Sequence, residues 1–218
     1  MNLVDLFPAF GLRLSAGPLE LRVLTDADLP ALAALAEGGV HPPDEMPFYV
    51  PWTSAPPGEL AHNVAAYHWS SRGSFSPMSW ALHLGVWRDG ILLGTQGFDT
   101  EHYLVTRTGE TGSWLGREFQ GQGVGTAMRQ AVCAFAFDHL DAVEITSGAF
   151  LDNPASLAVS RKVGYRDNGV RRLQRREGEV ALNQGLVLRP EDLVRGEHEL
   201  VVEGVAAFRR SIGLDAAT

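Results

Sequence analysis

The sequence predicts an α+β fold in which a mixed, mostly antiparallel sheet is flanked by a few crossover helices. Three observations carry this. Trp80 to Phe98 reads as strand, tight turn and strand around Arg88-Asp89-Gly90, and Val170 to Leu188 repeats the pattern around Glu177-Gly178-Glu179. Between these hairpins, a strand near Thr111 runs through closely spaced glycines into a long amphipathic helix.

In chain order, the opening residues read as loose, and Pro18 to Leu24 alternates Leu19, Leu21 and Val23 with polar residues as a half-buried strand does. Thr25 is placed to start a helix, with Asp28 as a short capping-box partner and Leu29, Leu32 and Leu35 at helical spacing before Gly38-Gly39. Six prolines between 41 and 57 block regular helix and leave an aromatic-rich loop, Met46 to Thr53. Glu59 to Ser70 reads as helix, Thr111 to Gly116 as strand, Gly123 to Leu140 as helix, Ala142 to Phe150 as strand and Pro154 to Val163 as helix. Beyond the second hairpin, Glu199 to Val202 and Ala206 to Ile212 suggest a strand and a helix with Phe208 inward. The expected organisation is an N-terminal extension 1–17, one domain over 18–188, and a C-terminal extension 189–218 packed on the domain or at a subunit interface, with a homo-oligomer possible.

Composition excludes several classes. A formal charge of −8 offers no broad basic face for a phosphate backbone, so no nucleic acid partner is expected. The one cysteine, Cys133, lies in an apolar stretch, so neither a disulfide framework nor a thiolate metal cluster is available and no metal is expected. The longest apolar run, Ala131 to Phe137, is about seven residues, and the N-terminus carries Asp5 without a basic region. A cytoplasmic protein without a membrane partner is expected.

The chemistry sits in the segment from Gly112 to Thr126. Glycines let the backbone approach a ligand, and the free amides and positive dipole end of the following helix favour an anion such as a pyrophosphate. No Lys-Ser/Thr pair follows at P-loop spacing, and Thr126 stands where a dinucleotide fingerprint wants its last small glycine. By itself the loop is also readable as a plain strand-to-helix connection.

Gln120-x-x-Gly123-x-Gly125, followed by Asp152-Asn153-Pro154-Ala155-Ser156 and Lys162-x-Gly164-Tyr165, resembles the acyl-CoA signature of the GNAT N-acyltransferase superfamily. The likeness is closer to its ribosomal-protein N-acetyltransferase branch, and the entry Leu19-x-Leu21-Arg22-x-Leu24-Thr25 resembles that branch too. The resemblance covers about 18–188. It implies the GNAT fold, with a sheet splayed between the strands at 111–116 and 142–150 and the pantetheine arm lying in the gap. It also implies cofactor contacts from Leu115, Gly116, Gln120, Gly121, Gln122, Gly123, Val124, Gly125, Thr126, Asn153, Ser156 and Lys162, for acetyl-CoA or succinyl-CoA. Arg117, Arg129 and Arg161 stand with Lys162 as candidate counter-charges for phosphate, or as solvated surface groups.

Acyl transfer to an amine needs a neutral nucleophile, a stabilised oxyanion and a leaving thiolate that gains a proton or a hydrogen bond. The family pattern points to the amides of Leu115 and Gly116 for the oxyanion and to Ser156 for the thiolate. Ser160 stands where many members carry a tyrosine acid, and Tyr165 reads as a core residue. Glu110 is the candidate base or a turn carboxylate, with Asp99, Glu101 and His102 in reserve. Phe48, Tyr49 and Trp52 either wall an acceptor pocket or cap a core, and His83 faces either the cleft or solvent. The expected function is transfer of an acetyl group to a primary amine, on a small molecule or a protein N-terminus, by direct attack in a ternary complex. Succinyl transfer, with Arg107, Arg72 or His83 meeting the extra carboxylate, and a non-catalytic acyl-CoA-binding regulator are the alternatives.

Overall fold

Among the described residues, nine strands form one sheet in the order β7-β8-β6-β5-β4-β3-β2-β1-β9. The computed structural model describes residues 1–56 and 58–215. In chain order the elements are α1 (Leu3–Leu6), β1 (Arg13–Ala16), β2 (Leu19–Val23), α2 (Leu29–Glu37), α3 (Leu60–Gly73), β3 (Ser79–Arg88), β4 (Ile91–Glu101) and α4 (Tyr103–Thr106). They continue with β5 (Thr108–Leu115), α5 (Val124–His139), β6 (Glu144–Phe150), α6 (Pro154–Val163), β7 (Arg166–Arg176), β8 (Glu179–Leu188), β9 (Leu200–Glu203) and α7 (Val205–Ser211). Every neighbouring pair is antiparallel except β5 with β6.

Local chemistry explains the hairpin that holds the middle of the sheet. Asp89 (φ 53°) and Gly90 (φ 76°) both take the left-handed conformation of a two-residue turn whose twist matches the flanking strands. On one face of the sheet, the α5 stripe Val124, Met128, Val132 and Phe135 packs with Leu84, Leu93 and Phe98, and α6 adds Leu157 and Val163. On the other, Leu29, Leu32 and Ala36 of α2 and Val64 of α3 close over Trp87, with Trp52 and Trp114 at the margin. Cys133 and Tyr165 lie in the first core, where the tyrosine hydroxyl meets Thr111 Oγ1 at 2.8 Å.

Two details differ from the sequence expectation. The helix α2 begins at Leu29, because the Asp28 carboxylate turns back to accept the Thr25 N–H (2.8 Å) and hydroxyl (2.7 Å) and the Arg22 guanidinium (2.9 Å). The opening is not loose: α1 has a capping box from Asn2 and Asp5, and β1 turns through Gly17 (φ 57°) to pair with β2. The tail has the strand and the helix that the sequence suggests: β9 lies beside β1, with Leu14 opposite Val202, and Phe208 is buried against Trp80. Among the described residues, no helix is long and apolar enough to cross a membrane.

Candidate active site

The parallel pair is where the sheet parts. Its ladder holds Thr108 with Glu144, Gly109 with Ile145 and Glu110 with Thr146, and then stops. Beyond Glu110 the strands diverge, and Arg129 of α5 spans the divergence. Its guanidinium, 4% exposed, donates to Ser113 Oγ of β5 (2.7 Å), Ser147 Oγ of β6 (3.3 Å) and Gln96 Oε1 of β4 (3.4 Å). Arg129 is therefore a brace inside the core and cannot reach a phosphate at the surface.

At the open end of the gap lies the start of α5. Gly123, the N-cap, has φ 81° and no side-chain cap, and Gly121 has φ 72°. The first bonded amides of this turn, Thr126 and Ala127, both donate to Gly123 O. The N–H groups of Val124 and Gly125 have no acceptor among the described residues. A Cβ on Gly121 or Gly123 would stand in open space, whereas one on Gly125 would touch Val159 of α6, so the first two glycines serve the loop and the third serves helix packing. A groove of about 850 Å³ leads from this end along α5, lined by Gly123, Thr126, Lys162, Arg88, Arg195 and Leu200. Lys162 is exposed and lines the same groove as Gly123 and Thr126.

Several expected ligand groups are committed to the protein. Gly116 N–H donates to Leu93 O at 2.9 Å, so it cannot serve an oxyanion. The same bond fixes the alternation of the β4–β5 ladder and turns the Leu115 N–H away from β4, toward the gap. Gln120 Nε2 donates to Val40 O (2.7 Å) and Leu115 O (2.9 Å), and Gln122 bridges Glu118 O (2.8 Å) and Arg88 (3.0 Å). Both glutamines thus tie the loop down through backbone carbonyls that would otherwise lack donors. Asn153 caps α6 by accepting the Ser156 N–H at 3.0 Å. The half-buried Ser156 hydroxyl has no protein partner among the described residues, while Ser160 Oγ folds back on Ser156 O at 3.0 Å and is fully buried.

The face of the gap that looks toward α2 and α3 carries the titratable groups. Glu110 of β5 and Asp99 of β4 are directly paired, so their carboxylates share this face, as does His83, which pairs with Gly97. Gly97 and Gly112 face each other and leave the floor between these side chains open. Beside the carboxylates lies a cavity of about 610 Å³ lined by Ser74, Ser79, Asp99, Glu101, Glu110 and Thr146. Desolvation, then the like charge of Glu110, push Asp99 up to about 6, although half of its side chain (50%) remains exposed. Desolvation raises Glu110 as well, against the charge of Arg171. His83 lies under α3, bonded to Ser71 Oγ (2.9 Å) and stacked with Tyr67 and His68, and desolvation followed by the neighbouring His68 lowers it to about 4. It is neutral at physiological pH, so its 4.0 Å approach to Asp99 is no ion pair. His102 begins α4 in the left-handed conformation, and Glu101 lines the cavity.

Around this face the proline-rich loop supplies a wall. Trp52 stacks on Trp114 (5.4 Å) and Phe48 (5.1 Å), and Tyr49 lies over Gly148, bonding Asn183 Oδ1 at 3.2 Å. A side chain at 148 would collide with the Tyr49 hydroxyl. Of the cations considered for an extra carboxylate, Arg72 is held by Asp26 (2.6 Å) and Arg107 stacks toward Tyr103, away from the gap. The sequence reading held Asp99 only in reserve, without its pairing with Glu110, and Arg171, near both Glu110 and Tyr49, escaped it. The signal for the first lay in strand register, which a single sequence does not print.

A sheet parted beside its one parallel pair, with a glycine-started helix at the gap, is the architecture of the GNAT N-acyltransferases. The chain belongs to that family: a model described as Acetyltransferase (GNAT) domain matches residues 18–166. A Bacillus subtilis protein, YdaF, that carries the name of a ribosomal N-acetyltransferase is 31% identical over 90 residues, 40% of this chain. That match spans about half (48%) of the relative's length. Among solved structures, RimL, a ribosomal L7/L12 alpha-N-protein acetyltransferase in complex with coenzyme A, aligns with a TM-score of 0.64 at 19% identity, covering 80% of this chain and 95% of that one. Mycobacterium smegmatis RimJ in complex with CoA-disulfide aligns with a TM-score of 0.66 at 16% identity over 92% of each chain. At these identities the structural likeness is one of fold.

Proposed function

We propose that the protein transfers an acetyl group from acetyl-CoA to a primary amine, by direct attack while donor and acceptor are bound together. One observation carries the reading: the gap between β5 and β6 joins a cradle of unbonded amides on one side to a carboxylate pair on the other. The cradle fits a diphosphate, because two amides of α5 lack acceptors and open space stands where Gly121 and Gly123 would carry a Cβ. The donor supplies an activated thioester carbonyl.

In this reading the chain's residues do the rest. Leu115 N–H, turned into the gap, meets the negative charge that develops on the carbonyl oxygen. Glu110, assisted by Asp99, takes the proton of the incoming amine, since carboxylates raised toward neutrality are better matched to that task than ordinary ones. Ser156, with its hydroxyl uncommitted at the start of α6, donates to the departing sulfur. Phe48, Tyr49 and Trp52 shape the acceptor entrance, and the name of the structural relative RimL, an alpha-N-protein acetyltransferase, favours a protein N-terminus as the amine. We assign the transferase domain to 18–188, its sheet extended at one edge by β1 and β9.

Gly123→Val tests the cradle. A β-branched residue is strained at φ 81°, and a distorted first turn loses charge-assisted amide bonds. Calorimetry is expected to show about tenfold or greater weakening of CoA binding, and the wild type is expected to release free thiol from acetyl-CoA only when an amine is present. A folded variant with unchanged CoA affinity overturns the reading.

A further inference from the structure

The strand β7 holds five arginines in eleven residues, on a chain whose net charge is −8. It is the outer edge of the sheet, and arginines on an edge discourage pairing with other chains. That accounts for most of them. Arg166 is paired with Asp192, Arg175 with Asp152 (2.8 Å) and Glu179 (2.7 Å), and Arg176 with Glu179 (3.5 Å). Arg172 stands opposite Leu182, on the other face from the carboxylate pair.

Arg171 is different. Among the described residues no carboxylate pairs with it, and its register sets it opposite Asn183, which in turn stands opposite Phe150. Thr146, Gly148 and Phe150 alternate onto one face of β6, and Thr146 is the partner of Glu110, so Arg171 belongs to the face that carries Glu110 and Asp99. Its charge is felt by both Glu110 and Tyr49. Beside it Asn183 is completely buried. The Asn183 oxygen accepts from Tyr49, and its Nδ2 has no acceptor among the described residues. A guanidinium with no carboxylate in ion-pair contact, next to an unpartnered amide donor, is an arrangement that takes a planar anion.

We propose that Arg171, backed by Asn183, forms a carboxylate subsite on the acceptor side of the gap, opposite the Asp99–Glu110 pair. The face is then bipolar: its acidic side receives the amine, and its basic side receives a carboxylate carried by one of the two reactants. Two sources share this chemistry, the far carboxylate of a dicarboxylic acyl group on the donor and a carboxylate on the acceptor. The inference rests on the acyl-transfer reading.

Binding and turnover with wild type, Arg171→Gln and Arg171→Lys distinguish the sources. Calorimetry compares CoA, acetyl-CoA and succinyl-CoA. Turnover with acetyl-CoA compares an α-amino acid with its carboxamide. In one of the two arms the wild type is expected to favour the carboxylate-bearing reactant by about tenfold or more. Arg171→Gln is expected to abolish that preference and Arg171→Lys to retain part of it, while affinity for free CoA stays the same. Equal treatment of both members of each pair by the wild type, or a preference that survives in Arg171→Gln, overturns the subsite. The wild-type comparison stands whether or not a variant folds. Absence of any binding to free CoA instead overturns the acyl-transfer reading, and the subsite with it.

Discussion

Two carboxylates facing each other across a strand pair cannot both be charged cheaply, and the site turns on this. Asp99 is held at about 6 by desolvation and by Glu110, so the basic form of the pair accumulates as pH rises through that value. The rate kcat/KM is therefore expected to climb between about pH 5 and 7 and then level off. Glu110→Gln removes the like charge. The residual activity of that variant, carried by Asp99, is expected to show its rising limb at lower pH, with the plateau reduced by about tenfold or more. A pH profile of acetyl transfer checks both, and a limb that stays in place in Glu110→Gln contradicts the coupling. At this scale the sequence was informative where backbone conformation limits the choice of residue. Gly121 and Gly123 occupy positive φ, which few other residues tolerate, so they were legible as a loop that opens toward a ligand. Side-chain purpose was less so. Gln120 holds the carbonyls of Val40 and Leu115, and Asn153 holds an amide of its own helix start, because such groups must find partners inside a fold before they are free to meet anything else.

At the level of elements, α5 does two jobs with one helix. Its first turn offers amides outward, and one turn further on Arg129 reaches inward to hold the separating strands at Ser113 and Ser147. Arginine is ordinarily a surface residue, which is why it reads as a phosphate counter-charge. The position argued otherwise: Arg129 lies between Met128 and Val132, inside the buried stripe of the helix. Arg129→Met fills similar space but leaves Ser113, Ser147 and Gln96 without their donor. A loss of about 2–3 kcal/mol is expected, together with weaker CoA binding as the gap loses its brace. Thermal unfolding and calorimetry read these separately, and unchanged values in both dismiss the brace.

For the whole molecule, local pairings were legible and distant ones were not. The β3–β4 hairpin announces itself through Asp89-Gly90, whereas β1 and β9 are short strands that acquire their meaning only from each other, through pairs such as Arg13 with Glu203. Their consequence is that the C-terminal segment is part of the core. Phe208 has no exposed surface and meets Trp80 edge-on at 5.4 Å, Ile212 is equally buried, and Arg209 binds His139 O (2.6 Å) and Asp141 (2.9 Å) at the end of α5. Removing a buried phenylalanine costs about 3–5 kcal/mol, the lost transfer energy plus the cavity left behind. In a chain of this size Phe208→Ala is then expected to lower the melting temperature by about 10 °C. Because Phe208 packs against Trp80 in the core and does not line the groove beside the cradle, the folded variant is expected to keep its affinity for CoA. Truncation after Arg189 removes Phe208, Ile212 and β9 together, exposing the β1 edge and the Trp80 ring at once. Such a chain is expected to lose cooperative unfolding. A sharp transition in the truncated protein, at the temperature of the full chain, means that the segment is an appendage and that the core closes without it.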